Sequence, residues 1–148
     1  MGRTDNAVVE ALSRAHEGLL EDLRNLEGAV EGAVHPAAGK GLERLRARLA
    51  VTRTHLAAHF RFEEQNGYMD AVRKREPRLE RTVQQLADEH RQLAESLDGL
   101  IRESGAAASL GDTLRQEVRA WTERVRQHEA RENDLIQDTF NLDIGAED

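Results

Sequence analysis

LRARLAVTRTHLAAHFRFE, residues 45–63, and LRQEVRAWTERVRQHEARE, residues 114–132, are one helix written twice. In the first, Leu45, Leu49, Thr52 and Leu56 form a stripe; in the second, Leu114, Val118, Trp121 and Val125 do. Both stripes step by four, three and four residues, the period of one face of an α-helix. Each then runs on, in the same line, into a histidine and a glutamate: His59 and Glu63, His128 and Glu132. Adding 69 to every position of the first series gives the second. A four-residue spacing sets histidine and glutamate one turn apart, about 6 Å along the axis, aimed the same way. They occupy a core-facing seam that an amphipathic helix normally fills with apolar residues.

The rest of the chain repeats in the same manner. Leu12, His16, Leu19, Leu23 and Leu26 match Leu86, His90, Leu93, Leu97 and Leu100 at an offset of 74. The first helix is expected from Thr4 or Asp5, either of which can cap it, to about Val34, and a turn at His35-Pro36-Ala37-Ala38-Gly39-Lys40-Gly41 follows. The second runs from about Leu42 to Gln65, and Asn66-Gly67 interrupts it before a short helical extension, Tyr68 to Arg75. Pro77, favourable in a first turn, opens the third, which runs to Glu103. A Ser104–Ser109 loop leads to the fourth, from Leu110 or Asp112 to Asp138. The chain is thus two helix hairpins of one design: a helix with one core histidine, then a helix with a core histidine–glutamate pair. Short connections make the expected architecture all-α, an antiparallel up-down-up-down four-helix bundle. Residues 1–148 are read as a single domain with an acidic tail from about 141 to 148, which Leu142 and Ile144 can dock.

Composition fits this and removes other classes. Aromatics are 3% of residues and charged residues 33%, which suits a bundle with solvated outer faces better than a sheet. A net charge of −7 leaves no basic surplus for phosphates, so neither nucleic acid nor an anionic membrane is an expected partner. The absence of cysteine removes disulfides, thiolate metal sites and cysteine nucleophiles. The polar start, Met1 to Asn6, does not read as a signal peptide, so none is expected, and no run approaches the roughly 20 apolar residues of a membrane span. The expected location is cytoplasmic.

Put together, the seams point six polar residues into one core: His16, His59, Glu63, His90, His128 and Glu132. A satisfied hydrogen bond or an exposed bundle end explains one core histidine. Two buried carboxylates among four imidazoles, in pseudo-twofold register, need neutralising, because an unpaired buried charge costs several kcal/mol. Cations do this most directly. Imidazole and carboxylate without thiolate suit iron or manganese, with zinc also compatible. Two ions use the set better than one. With Glu63 and Glu132 each bridging, the protein supplies about eight bonds where two six-coordinate ions need about twelve. That leaves places for a bridging oxo or hydroxo group and for a small ligand. Ferritin-like bundles place glutamate three residues before histidine, and no histidine here has that neighbour.

His16, the run His59-Phe60-Arg61-Phe62-Glu63-Glu64, the pair Glu89-His90 and His128-Glu129-Ala130-Arg131-Glu132, in this order, resemble the hemerythrin-like (HHE cation-binding) domain family. The resemblance spans nearly the whole chain. It implies a non-haem centre of two iron ions bridged by two carboxylates, with His16 and His59 on one iron, His90 and His128 on the other, and Glu63 and Glu132 between them. It also implies a small ligand such as dioxygen, peroxide or nitric oxide. One departure stands out: many hemerythrins carry a second histidine one turn after the one matching His90, and here that position is Ala94. One iron is then short of a ligand and more open. His55, Glu64 and Tyr68 are candidates for a further ligand or for groups that hold a ligand in place. Trp121 is read as core, Phe60 and Phe62 as walls of the pocket, and His35 as solvated.

The expectation is therefore a di-iron protein that binds or reacts with dioxygen or a related small oxidant, with no catalytic side chain assigned. An enzyme consuming peroxide or nitric oxide and an iron or redox sensor acting through a partner are the alternatives. A metal-free structural bundle is the outsider.

Overall fold

The computed structural model describes residues 3–32, 38–65 and 67–140. Four long helices dominate: α1 (Arg3–Gly32), α2 (Ala38–Glu64), α4 (Glu80–Ala106) and α5 (Asp112–Phe140). A short α3 (Tyr68–Arg75) and one 3₁₀ turn (Pro77–Leu79) join α2 to α4. Around the bundle α1 packs on α2, α2 on α4, α4 on α5, and α5 back on α1. The all-α four-helix bundle expected from the seams is the fold observed. No described helix is long and apolar enough to cross a membrane.

Helix ends differ from expectation where local propensity meets packing. Ala38-Gly39-Lys40-Gly41, expected as turn, is the first turn of α2. Two glycines cost about 1 kcal/mol each there, but the next turns bury Leu42 and Leu45, exposed 4% and 0%, which pulls the helix start forward. α4 continues three residues past Glu103, where the Arg46 guanidinium donates to the carbonyls of Ser104 (2.8 Å) and Ala107 (3.0 Å). These are carbonyls at a helix end that lack partners within the helix. The expected turn at 33–37 with His35, Asn66, and the acidic tail from 141 lie outside the described residues.

The core falls into two apolar layers. The larger holds Leu19, Leu23 and Leu26 from α1, Leu45, Leu49 and Leu56 from α2, Leu93 and Leu97 from α4, and Val118, Trp121 and Val125 from α5. Trp121 is buried there, as expected, with its indole N–H donating to the carbonyl of Leu93 at 2.9 Å. The smaller layer gathers Leu12, Val83, Leu86, Leu135 and Ile136 around Tyr68, Met69 and Val72 of α3. α3 touches all four long helices and so plugs this end of the bundle. Three of the four seams cross from one layer to the other at a histidine, Leu12–His16–Leu19, Leu86–His90–Leu93 and Val125–His128–Glu132–Leu135, while α2 ends just past Glu63 in the polar layer. A polar layer is therefore pressed between two apolar ones.

Candidate metal centre

All six residues picked out by the seams meet in that layer. Their exposures run from 0% for Glu63 and Glu132 to 8% for His59. They form two groups of four buried side chains, His16, His59, Glu63 and Glu132, and Glu63, His90, His128 and Glu132. Within each, ligand-type atoms lie within 4.8 Å of one another. The two carboxylates are common to both groups.

The distances describe a tight cage. Nε2 of His16 lies 3.1 Å from Oε2 of Glu63 and 3.1 Å from Oε1 of Glu132. Nε2 of His90 lies 2.9 Å from Oε1 of Glu63 and 3.2 Å from Oε2 of Glu132. Nε2 of His59 is 2.9 Å from Oε2 of Glu63, and Nε2 of His128 is 3.1 Å from Oε2 of Glu132. Yet Nε2 of His59, Nε2 of His128 and Oε1 of Glu63 are buried without an aligned hydrogen-bond partner. Close approach without alignment is what lone pairs aimed at a shared point produce. Two donors bonded at about 2.1 Å to one ion, at right angles, stand roughly 3.0 Å apart. Each group of four has the donor set to hold a cation.

Without metal, protons hold the cage together. Burial pushes the His16 and His90 rings down, but the Glu132 and Glu63 carboxylates beside them outweigh it and hold both at about 10. Burial raises Glu63 and Glu132, and the surrounding histidines reverse it, keeping Glu63 below its ordinary value and Glu132 well below. Burial lowers the His128 ring too, but Glu132 and Glu89 raise it overall. Protons on these imidazoles thus offset the two carboxylates, and cations would take over the place of those protons.

A second set of groups grips the far ring nitrogens. Glu64, expected as a ligand or a supporting group, lies in the supporting position: its Oε2 is 2.5 Å from Nδ1 of His90. Glu89 does the same for His128 at 2.7 Å and is itself held by Arg131. Such contacts fix the tautomer that turns Nε2 inward. Tyr68 comes from α3, and its hydroxyl donates to Oε2 of Glu132 at 2.9 Å. Burial and the two nearby carboxylates push that phenol up, so it stays a donor.

Two expectations fare differently. His55 does not enter either group: its side chain is 56% exposed, and Nδ1 turns to Asp22 at 2.9 Å. Four residues before His59, it is turned about 40° around α2 and faces α1 at the groove edge instead of the core. Phe60 is buried and stacks on His90 with centroids 3.8 Å apart and planes 7° from parallel. Phe62, expected beside it as a wall, is 41% exposed and lines a groove of about 530 Å³ between α1 and α2, next to His59. Successive residues on a helix diverge by about 100°, so Phe60 and Phe62 cannot share a wall.

Sequence reading missed Glu129. It is 4% exposed, with Oε2 3.8 Å from Nε2 of His59 and no aligned partner. Burial raises its carboxyl, the His16 and His59 charges pull it back only in part, and it comes to about 7. The signal was present: Val118, Thr122, Val125, Glu129, Glu132, Ile136 and Thr139 step four and three by turns, and all are buried. They are a second seam of α5, beside the one through Trp121 and His128.

Residues 7–139 match the family model described as hemerythrin HHE cation binding domain. No curated protein and no solved structure gives a significant match.

Proposed function

The chain belongs to the hemerythrin HHE cation-binding domain family, and on that premise we propose that it is a non-haem di-iron protein that binds or reacts with dioxygen or a related small oxidant. The observation that carries this is the sharing of Glu63 and Glu132 between two four-residue groups. His16 and His59 hold one ion, His90 and His128 the other, and the two carboxylates bridge. Two irons there supply redox equivalents and open coordination positions for a diatomic ligand or peroxide. The chain supplies what makes them useful. The apolar layers exclude water, Glu64 and Glu89 fix ring orientation, and the Tyr68 hydroxyl holds one bridging oxygen in place.

Consumption of peroxide or nitric oxide is the second reading, favoured by one observation. Ala94, with Ala57 and Ala87, lines a surface cavity of about 370 Å³ that reaches His90. A side chain with a donor at position 94 would narrow it.

Metal content and the visible spectrum of aerobically purified protein test the proposal. About two irons per chain with near-ultraviolet oxo-to-iron charge-transfer bands are expected. No metal, or a single zinc, would reject it. Sustained turnover of hydrogen peroxide by the iron-loaded chain would favour the enzyme over a binder.

A further inference from the structure

The pseudo-twofold repeat breaks at one buried position beside the cage. Subtracting 69 from Glu129 gives Phe60. Both are buried, at 4% and 6% exposure, and both follow directly on a histidine of the cage. Phe60 lays its ring on His90 and offers no donor atom. Glu129 presents an unpartnered carboxylate oxygen 3.8 Å from Nε2 of His59. A third carboxyl group buried beside two carboxylates, with one oxygen left without a hydrogen-bond partner, is costly, and a cation at the cage would supply the missing partner. No arginine or lysine is in contact with it among the described ion pairs.

We infer that Glu129 is a further protein ligand, specific to the ion held by His16 and His59, and that it makes the two metal positions chemically unequal. The inference rests on the di-iron reading above. Glu129 stands outside the group of four whose donor atoms lie within 4.8 Å of one another, so it enters by a side-chain rotation of the kind a long carboxylate makes readily. The His16/His59 ion then has five protein residues and the His90/His128 ion four. On six-coordinate ions this leaves one place on the first and two on the second, and a bridging oxo or hydroxo group takes one on each, so only the second keeps an open place. The small ligand therefore goes to the His90/His128 ion, on the side where Ala94 lines a cavity.

The test uses the full chain loaded anaerobically with ⁵⁷Fe(II), wild type beside Glu129→Gln and Glu129→Leu. Metal stoichiometry, affinity and Mössbauer spectra are read. Wild type should show two quadrupole doublets of equal area. In both variants one doublet should move while the other stays, and one iron should bind more than ~10-fold more weakly. The metal-free variants should melt no lower than wild type, because each removes a buried carboxyl oxygen that has no hydrogen-bond partner. That combination separates a ligand from a packing residue. Unchanged doublets and affinities in both variants would overturn the inference and leave the di-iron reading standing. Fewer than two irons on wild type would overturn both.

Discussion

Glu63 and Glu132 have no solvent exposure and touch three histidines each, so their loss should be felt in two ways. With metal, Glu63→Ala or Glu132→Ala should reduce bound iron from about two per chain to one or none; retained stoichiometry would place the bridges elsewhere. Without metal, the same changes strand imidazolium groups that lie near 10 in the fold and 6.5 when free. That difference also fixes a pH dependence. Below 6.5 both the folded and the unfolded chain hold these protons, and the cage contributes its full stability. As pH rises from 6.5 towards 10, the unfolded chain releases protons that the fold must keep, so the metal-free protein loses stability across that window. Denaturation at a series of pH values with chelator present checks this. A flat profile from pH 6.5 to 10 would contradict the protonated cage. Supporting groups should matter less: Glu64→Ala and Glu89→Ala should each weaken iron binding by about 10- to 100-fold, read by competition with a coloured chelator.

At the scale of elements, α3 is the part the helical repeat does not supply, and its position depends on Gly67. A Cβ there would stand 2.2 Å from the carbonyl oxygen of Phe62 and 2.9 Å from that of Glu63. The chain turns back so closely on the end of α2 that only a hydrogen fits, and this close turn brings Tyr68 within 2.9 Å of Glu132. Gly67→Ala should therefore destabilise the fold by about 1–3 kcal/mol. It should also weaken iron binding, because Tyr68 moves away; an unshifted melting temperature would show that the turn has slack. Long interhelix pairs such as Arg53–Asp98 at 2.7 Å and Arg126–Glu27 tie neighbouring helices on the outside. Partly exposed, they set register more than they add stability.

For the whole molecule, metal binding and folding are coupled because one polar layer divides the core in two. Ions that bind only the folded chain stabilise it by about 2.7 kcal/mol per site at a hundredfold excess over Kd. Iron loading should raise the melting temperature by several degrees, and chelation should reverse the gain. A melting temperature indifferent to metal would mean that the layer is satisfied by its protons alone.

Much of this was legible in the chain. The 4-3-4 seams of residues 45–63 and 114–132 determine by themselves which residues face inward, since helical period is a local property. With the matching seams through His16 and His90 they marked out the bundle and the six cage residues; the pairing of His16 with His59 and of His90 with His128 came from the family resemblance. Other features depended on contacts between segments far apart in sequence. Only packing decided that Glu64 and Glu89 grip ring nitrogens while His55 faces Asp22, because each outcome depends on which neighbouring helix lies opposite. Only packing brought Glu129 to the cage, since its seam becomes a core face once α1 lies against α5. Periodicity states that a side chain is buried; the tertiary structure states against what, and the chemistry of a buried carboxylate follows from its neighbours.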